Sequence, residues 1–255
     1  MRAYTRHQLK HDRFAETVAS GAADTFSWAG ENRGTLIVAA VVAALVLAAG
    51  LGYWFYNQQQ SDKANIALGH ALHVYETLLR PPGTPPTPGV ESFSSLGERS
   101  QAARREFNDV AEEYPRSAPG RLARYFVGIT FRDEGNYPAA EKALNDAAAA
   151  GNADVAALAR FALAQMYSLT NRPADAIKQL KELADHPAGT VAKAEAQVQL
   201  ADLYQQQNQP AEAVRLFEQV KSENPNTPAA EYAQTKLAEL NKGAVAAPSA
   251  PPLAK

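Results

Sequence analysis

The chain has 255 residues, of which 46% are apolar and 20% charged, and its formal net charge is −2. This balance excludes a strongly basic nucleic-acid-binding protein. The sequence contains no cysteine, which excludes disulfide frameworks, thiolate metal sites and cysteine nucleophiles. Alanine is abundant and glycine sparse, so the composition favours helices over sheets.

The first notable segment is a long stretch without any charged side chain, residues 34–61. Its first part, residues 34–56, is almost entirely apolar and ends in four aromatic residues, Tyr-Trp-Phe-Tyr. About 20 helical residues cross the hydrocarbon core of a bilayer, and amphipathic rings favour the headgroup region. The pattern therefore predicts a transmembrane helix over residues 34–56.

Two alternatives to a membrane span are a buried core helix and a cleaved signal peptide. A core helix of this length would normally carry polar residues on one face. A signal peptide has a shorter leader and small residues at a cleavage site, whereas residues 57–60 are Asn-Gln-Gln-Gln. Both alternatives fit the sequence less well than a retained span.

Basic residues are concentrated before the predicted span, because the first 20 residues after it contain only Lys63. By the positive-inside rule, residues 1–33 are expected to be a cytoplasmic leader. The C-terminal domain is then expected on the opposite side of the membrane. The basic residues of the leader are Arg2, Arg6, Lys10, Arg13 and Arg33.

Three stretches after the span share one residue pattern, with aromatic positions 36 residues apart (131 to 167) and then 37 (167 to 204). Each contains a small residue, an aromatic, a turn former, an alanine and a large apolar residue in the same order. The positions are Gly128, Ala164 and Ala201; Phe131, Tyr167 and Tyr204; Gly135, Asn171 and Asn208; Ala140, Ala176 and Ala213; and Leu144, Leu180 and Phe217.

Each position of this pattern suits a pair of antiparallel helices. The small residue allows close approach of two helices, the Gly or Asn can take the left-handed conformation that ends a helix, and Pro115, Pro187 and Pro225 would end the second helices. The pattern resembles the tetratricopeptide repeat, a helix–turn–helix unit of about 34 residues. The resemblance predicts an all-α fold in which residues 57–241 form an α-solenoid of helix hairpins.

The chain departs from the family pattern at Arg124, Arg160 and Gln197, where the family often has Trp or Leu. A more divergent hairpin is expected before the three clear ones, and a capping helix after them. The predicted elements are helices over 62–79 and 100–114, an insertion loop over 80–97 rich in Pro and Gly, a capping helix over 229–240 and a disordered tail over 242–255.

Catalytic motifs are missing from the sequence: it has no Gly-rich phosphate loop, no nucleophile elbow and no His-Glu-x-x-His motif. We therefore expect neither an enzyme nor a cofactor. The nearest candidate for a metal site is His70 and His73 with Glu76, which could share part of one helix face. A metal-dependent enzyme built on these residues is an alternative hypothesis, but metal sites normally need further ligands.

The solenoid predicts a partner-binding groove on the first helix of each hairpin. The apolar residues of this groove would anchor a peptide or a partner helix, although Tyr125 and Phe161 fit the core of the hairpins equally well. Tyr125, Phe161 and Val198 also occupy the positions of the lysines with which some repeats bind a C-terminal carboxylate. The predicted groove residues are Leu122, Tyr125, Ile129, Leu158, Phe161, Gln165, Val198, Asp202 and Gln205.

The order of leader, single span and exported repeats resembles the ancillary subunit of the SecYEG translocon. The resemblance covers roughly residues 30–240, and the longer leader and the proline-rich loop depart from it. It implies a bacterial inner-membrane scaffold with a periplasmic repeat domain, whose partners are translocon subunits, periplasmic chaperones or exported polypeptides. We expect no nucleic acid and no small-molecule substrate. An alternative is an envelope assembly factor for a secretion, pilus or cell-division machinery that uses the same repeats.

Overall fold

The computed structural model describes residues 33–150 and 152–246, and this part of the chain contains nine α-helices. The predicted all-α class is therefore confirmed. Among the described residues, the β-type pairing is an isolated bridge between Leu79 and Phe93. The helices are α1 (Arg33–Glu76), α2 (Leu96–Glu113), α3 (Ala118–Asp133), α4 (Tyr137–Ala148), α5 (Ala153–Leu169), α6 (Pro173–Asp185), α7 (Lys193–Gln206), α8 (Pro210–Glu223) and α9 (Pro228–Ala246).

Helix α1 is one continuous helix of 44 residues, whereas the sequence suggested a span over 34–56 and a separate helix over 62–79. Residues 57–61, Asn-Gln-Gln-Gln-Ser, contain neither proline nor glycine, so nothing in them stops a helix. The chain divides into two compact units, Met1–Gln59 and Gln60–Lys255. The predicted leader lies outside the described residues except for its last residue, Arg33.

The first unit contains the one helical segment among the described residues that is long and apolar enough to cross a membrane. None of its most apolar 18-residue window is buried, and large side chains such as Val41 and Tyr53 are 53% and 72% exposed. A core helix of a soluble protein passes the same test of length and composition, but its side chains would be covered. A signal sequence also passes that test.

The segment between α1 and α2 covers residues 77–95 and is not helical. Its two ends are joined by backbone hydrogen bonds, from Arg80 N to Phe93 O (2.8 Å) and from Phe93 N to Leu78 O (2.9 Å). Helix α2 begins at Leu96, four residues before the predicted start at 100. A capping arrangement causes the early start, since Ser95 Oγ accepts from Glu98 N (3.1 Å) and Glu98 Oε2 accepts from Ser94 N (2.9 Å).

The three predicted turn residues all adopt the left-handed conformation. Gly135, Asn171 and Asn208 have φ angles of 76°, 58° and 55°. The residue that follows each turn residue donates its N–H to the carbonyl of the aromatic residue five positions before it, at 2.8–2.9 Å, which is the hydrogen bond of a Schellman-type helix end. The turns α3–α4, α5–α6 and α7–α8 are therefore specified locally by sequence.

The predicted prolines lie just beyond the ends of the second helices. Helix α2 ends at Glu113 before Pro115, α6 at Asp185 before Pro187, and α8 at Glu223 before Pro225. The last helix, α9, starts at Pro228 and continues to Ala246, beyond the predicted capping helix over 229–240. The first part of the predicted tail is thus helical, and residues 247–255 lie outside the described residues.

The second unit has two hydrophobic clusters, which meet at α3. The first lies between the end of α1, α2 and α3, and its centre is the aromatic cluster formed by Tyr75, Phe107 and Phe126. The Phe107 and Phe126 rings are stacked with centroids 4.9 Å apart, and Tyr75 meets Phe107 edge-on at 6.1 Å. The second cluster runs from α3 to α9 and consists mainly of alanine and leucine side chains.

Candidate functional site

The predicted groove residues lie on α3, α5 and α7, the first helices of the three clear hairpins. Ile129 and Val198 are buried, so their side chains belong to the core and are not available to a partner. The residues Leu122, Tyr125, Leu158 and Phe161 are half-buried and packed against the core. Gln165 is exposed, and Asp202 and Gln205 are half-buried.

Tyr125 and Phe161 differ in which of the two roles, core or groove, they take. The Tyr125 ring contacts Phe126 edge-on, with centroids 5.2 Å apart, and burial raises the pKa of its hydroxyl. Phe161 packs against the larger cluster and also lines a pocket on the surface. Tyr125 is therefore joined to the aromatic cluster, whereas Phe161 is both a core and a surface residue.

A concavity lined by two of the first helices, the α5–α7 pocket, has a volume of about 410 Å³. Its apolar lining comes from α5, α6 and α7, and the exposed Leu169 (74%) lies at its edge. Three of the nine predicted groove residues, Phe161, Gln165 and Asp202, meet in it. The full lining is Phe161, Ala164, Gln165, Ser168, Leu169, Leu180, Gln199, Asp202, Leu203 and Gln206.

Four pocket residues at the surface, Ser168, Leu169, Gln199 and Gln206, were not predicted. Ser168 and Leu169 follow Gln165 by three and four positions, and Gln199 and Gln206 lie three before and four after Asp202. Residues three and four apart share a helix face, so extending the predicted face by one turn would have found them. The prediction took three positions from each first helix, so it followed the repeat and not the local shape of the pocket.

Asp202 is the charged residue of the α5–α7 pocket lining. Its Oδ2 accepts a hydrogen bond from Tyr232 Oη of α9 (2.9 Å). Burial raises the pKa of Asp202, while the Tyr232 hydrogen bond and Lys236 act in the opposite direction. Lys236 itself is bound to Glu239, with Nζ 3.1 Å from Oε2. The carboxylate is thus partly desolvated and oriented by the capping helix.

Glu141 of α4 ties two neighbouring hairpins together beside the pocket's first helix. It accepts hydrogen bonds from Tyr167 Oη (2.9 Å) and from Arg172 Nη1 (2.6 Å), and the Arg172 guanidinium lies 4.3 Å from the centroid of the Tyr167 ring. The hydrogen bond from Arg172 is the main cause of the lowered pKa of Glu141. These contacts fix the end of α5 against α4, so α5 presents a preformed surface.

The two histidines of the alternative metal site have separate partners. His70 Nδ1 lies 3.0 Å from Glu106 Oε2, and His73 Nε2 lies 3.7 Å from Glu91 Oε2. Among residues 33–150 and 152–246, no group of three or more metal-ligating side chains could hold an ion. The described part of the chain therefore offers no site for the metal-dependent enzyme hypothesis.

A family model described as a tetratricopeptide repeat-like domain matches residues 27–242. Two similar solved structures come from Podosopora anserina: a kinesin light chain protein with nearly identical TPR-like repeats, 18% identical with a TM-score of 0.46, and a variant of it, 19% identical with a TM-score of 0.47. Each match covers 58% of this chain, and 80% and 79% of the respective matched chains. No curated protein matches the sequence significantly.

Proposed function

Since this chain belongs to the tetratricopeptide repeat-like domain family, whose fold is that of a protein-interaction scaffold, we propose that it is a membrane-anchored scaffold for exported polypeptides. Its partners are translocon subunits, periplasmic chaperones and the polypeptides emerging beside them. Helix α1 provides the anchor, and the repeat hairpins provide the binding surface on the outer side of the inner membrane.

The α5–α7 pocket is the observation that carries this proposal. It combines an apolar lining with polar side chains on its rim, the arrangement by which peptide-binding surfaces hold an apolar anchor residue and the backbone around it. The residues come from two successive first helices and from α6, so the pocket exists only in the assembled solenoid. This is the expected behaviour of a repeat protein, in which neighbouring units create the binding surface.

The membrane part of the proposal is supported by the uncovered apolar segment of α1 and by the charge distribution around it. A partner-binding surface tethered to the bilayer meets membrane-bound partners at a high effective concentration, so weak individual contacts suffice. The resemblance in element order to the ancillary subunit of the SecYEG translocon is the reason for choosing exported polypeptides and their helpers as partners.

Photocrosslinking in living cells tests the binding part of the proposal. A photoreactive amino acid at Gln165, which is exposed at the pocket, should crosslink to translocon subunits, periplasmic chaperones or exported polypeptides identified by mass spectrometry. The matched control is the same amino acid at Glu218, which is exposed on the second helix α8 and should give few or none of these adducts.

Two substitutions provide the specificity control for the crosslinks. Phe161→Ala should reduce the Gln165 adducts severalfold without changing helicity measured by circular dichroism. Because Phe161 also packs against the core, Leu169→Ser serves as a second variant at a 74% exposed pocket residue. Equal amounts of adduct from positions 165 and 218 would contradict binding at the α5–α7 pocket. Adducts only with secretion, pilus or division components would favour the assembly-factor alternative.

Thiol labelling tests the anchor and its orientation independently. The sequence contains no cysteine, so Glu218→Cys and Arg2→Cys each introduce a unique thiol. A reagent that does not cross the inner membrane should label Glu218→Cys in intact cells and Arg2→Cys only after lysis. Labelling of both positions under the same conditions would refute the proposed topology.

A further inference from the structure

The charge of the α5–α7 pocket is one-sided. Of the residues that line it, Asp202 is the one with a charged side chain, and the other polar residues are three glutamines and a serine. A carboxylate that is half-buried without a cation in the same lining favours a ligand that supplies the missing positive charge. The pocket therefore differs in chemistry from a purely apolar groove.

The capping helix α9 fixes the position of this carboxylate. Tyr232 donates its hydroxyl to Asp202 Oδ2 at 2.9 Å, and the Tyr232 ring contacts Phe217 of α8 with centroids 6.4 Å apart. The nearby cation, Lys236, is bound to Glu239 and lies against the Tyr232 ring, 5.6 Å from its centroid. Asp202 is thus oriented by a neutral donor, whereas Lys236 is engaged by Glu239 and the Tyr232 ring.

The glutamines supply a second element of recognition. Gln165 on α5 and Gln199 and Gln206 on α7 place side-chain amides around the pocket. An amide both donates and accepts hydrogen bonds, so these side chains match the N–H and C=O groups of a polypeptide backbone without reading its sequence. The apolar part of the lining, with Phe161 and Leu180, accepts one aliphatic or aromatic side chain.

We propose that the α5–α7 pocket selects polypeptide segments in which a large apolar residue lies next to lysine or arginine. The apolar side chain enters beside Phe161, and the cationic group pairs with Asp202. This inference rests on the proposed function and specifies its partner: the occupant is a segment of another polypeptide, chosen by charge complementarity to Asp202.

Peptide binding to the full-length protein in detergent micelles tests this selectivity. The probes are three fluorescent peptides of Gly and Ser that carry Leu-Lys, Leu-Gln or Leu-Glu at their centre, and the measurement is fluorescence anisotropy. The Leu-Lys peptide should bind about tenfold more tightly than the other two, the effect of one charge-assisted hydrogen bond. The preference should decrease with added salt.

Three variants separate charge recognition from apolar binding. Asp202→Asn should abolish the preference for Leu-Lys while leaving Leu-Gln binding unchanged, and Glu218→Gln, an exposed carboxamide substitution on α8, should behave like the unmodified protein. Tyr232→Phe should reduce the preference partially, because it removes the donor that orients Asp202. Phe161→Ala should weaken the binding of all three peptides to a similar extent.

The outcomes distinguish this inference from the proposed function. Equal binding of the three peptides, or a preference that survives Asp202→Asn, would refute the charge selection while leaving the scaffold in place. If no peptide bound, both the charge selection and the proposed peptide-binding function of the pocket would be refuted. A change in oligomeric state caused by Phe161→Ala, without discrimination among the peptides, would mean that a second copy of this chain occupies the pocket and would also overturn the inference.

Discussion

The first hairpin of the second unit, α1 with α2, and the later hairpins, α5 with α6 and α7 with α8, are held together in different ways. The later hairpins have tight turns at Asn171 and Asn208, both left-handed, and small alanines at the helix contacts. The first hairpin has a 19-residue connection, residues 77–95, and no such turn. Its helices are joined instead by the aromatic cluster of Tyr75, Phe107 and Phe126.

The difference shows that a helix hairpin can be specified either by residues close together in the sequence or by residues far apart. In the later hairpins, residues close in sequence fix the turn, and the packing of small residues follows. In the first hairpin, α1 and α2 meet through ring contacts between residues more than 30 positions apart. Non-local contacts of this kind replace the turn as the source of pairing, so their loss should affect only the region that depends on them.

The largest expected effect is that of Phe107→Ala. Phe107 is fully buried and stacked on Phe126, so its removal should lower the free energy of unfolding by about 3–5 kcal/mol. The loss is measured by urea denaturation of the full-length protein followed by circular dichroism. Hydrogen exchange should show that protection is lost in α2, α3 and residues 60–76, and retained in α7–α9.

Phe217→Ala is the matched control, because Phe217 is also fully buried but belongs to α8 and the larger cluster. It should cost a similar free energy, with the loss of protection in α7–α9 instead. In a solenoid each unit depends mainly on its neighbours, which predicts these two separate footprints. Loss of protection throughout the second unit in both variants would show that the two regions are not independent.

A smaller effect is expected for Gly128→Ala at the α3–α4 contact. A Cβ atom at Gly128 would lie 2.6 Å from Leu144 Cγ, so the substitution should destabilise the protein by about 1–3 kcal/mol. The equivalent positions of the later hairpins are Ala164 and Ala201, where the extra methyl group is already accommodated. The α3–α4 hairpin therefore depends on glycine at a position where the others do not.

Gly69→Ala is the control for this substitution. Gly69 is exposed on α1, and a Cβ atom there would meet nothing within 4 Å, so alanine should stabilise the helix by about 0.5–1 kcal/mol. Both changes can be followed by thermal denaturation of the full-length protein. If Gly128→Ala also stabilised the protein, α3 and α4 would have to move apart without cost to admit the methyl group. That result would contradict the close contact between Gly128 and Leu144 as a source of stability.

Most of the fold was predictable because its signals are local. Gly135, Asn171 and Asn208 marked the turns and Pro115, Pro187 and Pro225 the helix ends, and each acts within a few residues of its own position. The continuity of α1 was missed for the opposite reason. A change from apolar to polar residues near position 57 looks like a boundary, but polarity alone does not end a helix, and residues 57–61 contain neither proline nor glycine.

The candidate site was predictable only in part. The repeat placed Phe161, Gln165 and Asp202 on the right helices, because the first helix of each hairpin follows from the pattern. It could not show that Ile129 and Val198 are buried or that Asp202 is bound by Tyr232, since these facts depend on how successive hairpins stack. The burial and the charged contacts of a groove residue depend on how neighbouring repeats pack, and the sequence motif of one repeat does not specify that packing.

The smallest expected effect concerns a polar contact found in both regions. Tyr75 Oη donates to Asp133 Oδ2 (2.8 Å), as Tyr167 does to Glu141 and Tyr232 to Asp202. Burial, followed by the hydrogen bond to Asp133, raises the pKa of Tyr75 to about 12. The folded state therefore holds this proton more tightly than the unfolded state, in which a tyrosine has a pKa of about 10.

The stability from Tyr75 should accordingly be complete below about pH 10 and be lost as the pH rises from about 10 to about 12. Tyr75→Phe should cost about 1 kcal/mol at neutral pH, the value of one hydrogen bond, and should reduce the decline in unfolding free energy across that interval. Tyr137→Phe, at an exposed tyrosine of α4, should leave the decline as it is. Equal declines in unmodified protein and Tyr75→Phe would mean that the aromatic cluster holds α1 against α3 without this hydrogen bond. The contrast between the two regions would then be sharper, because side-chain packing without this hydrogen bond would hold the first hairpin against α3.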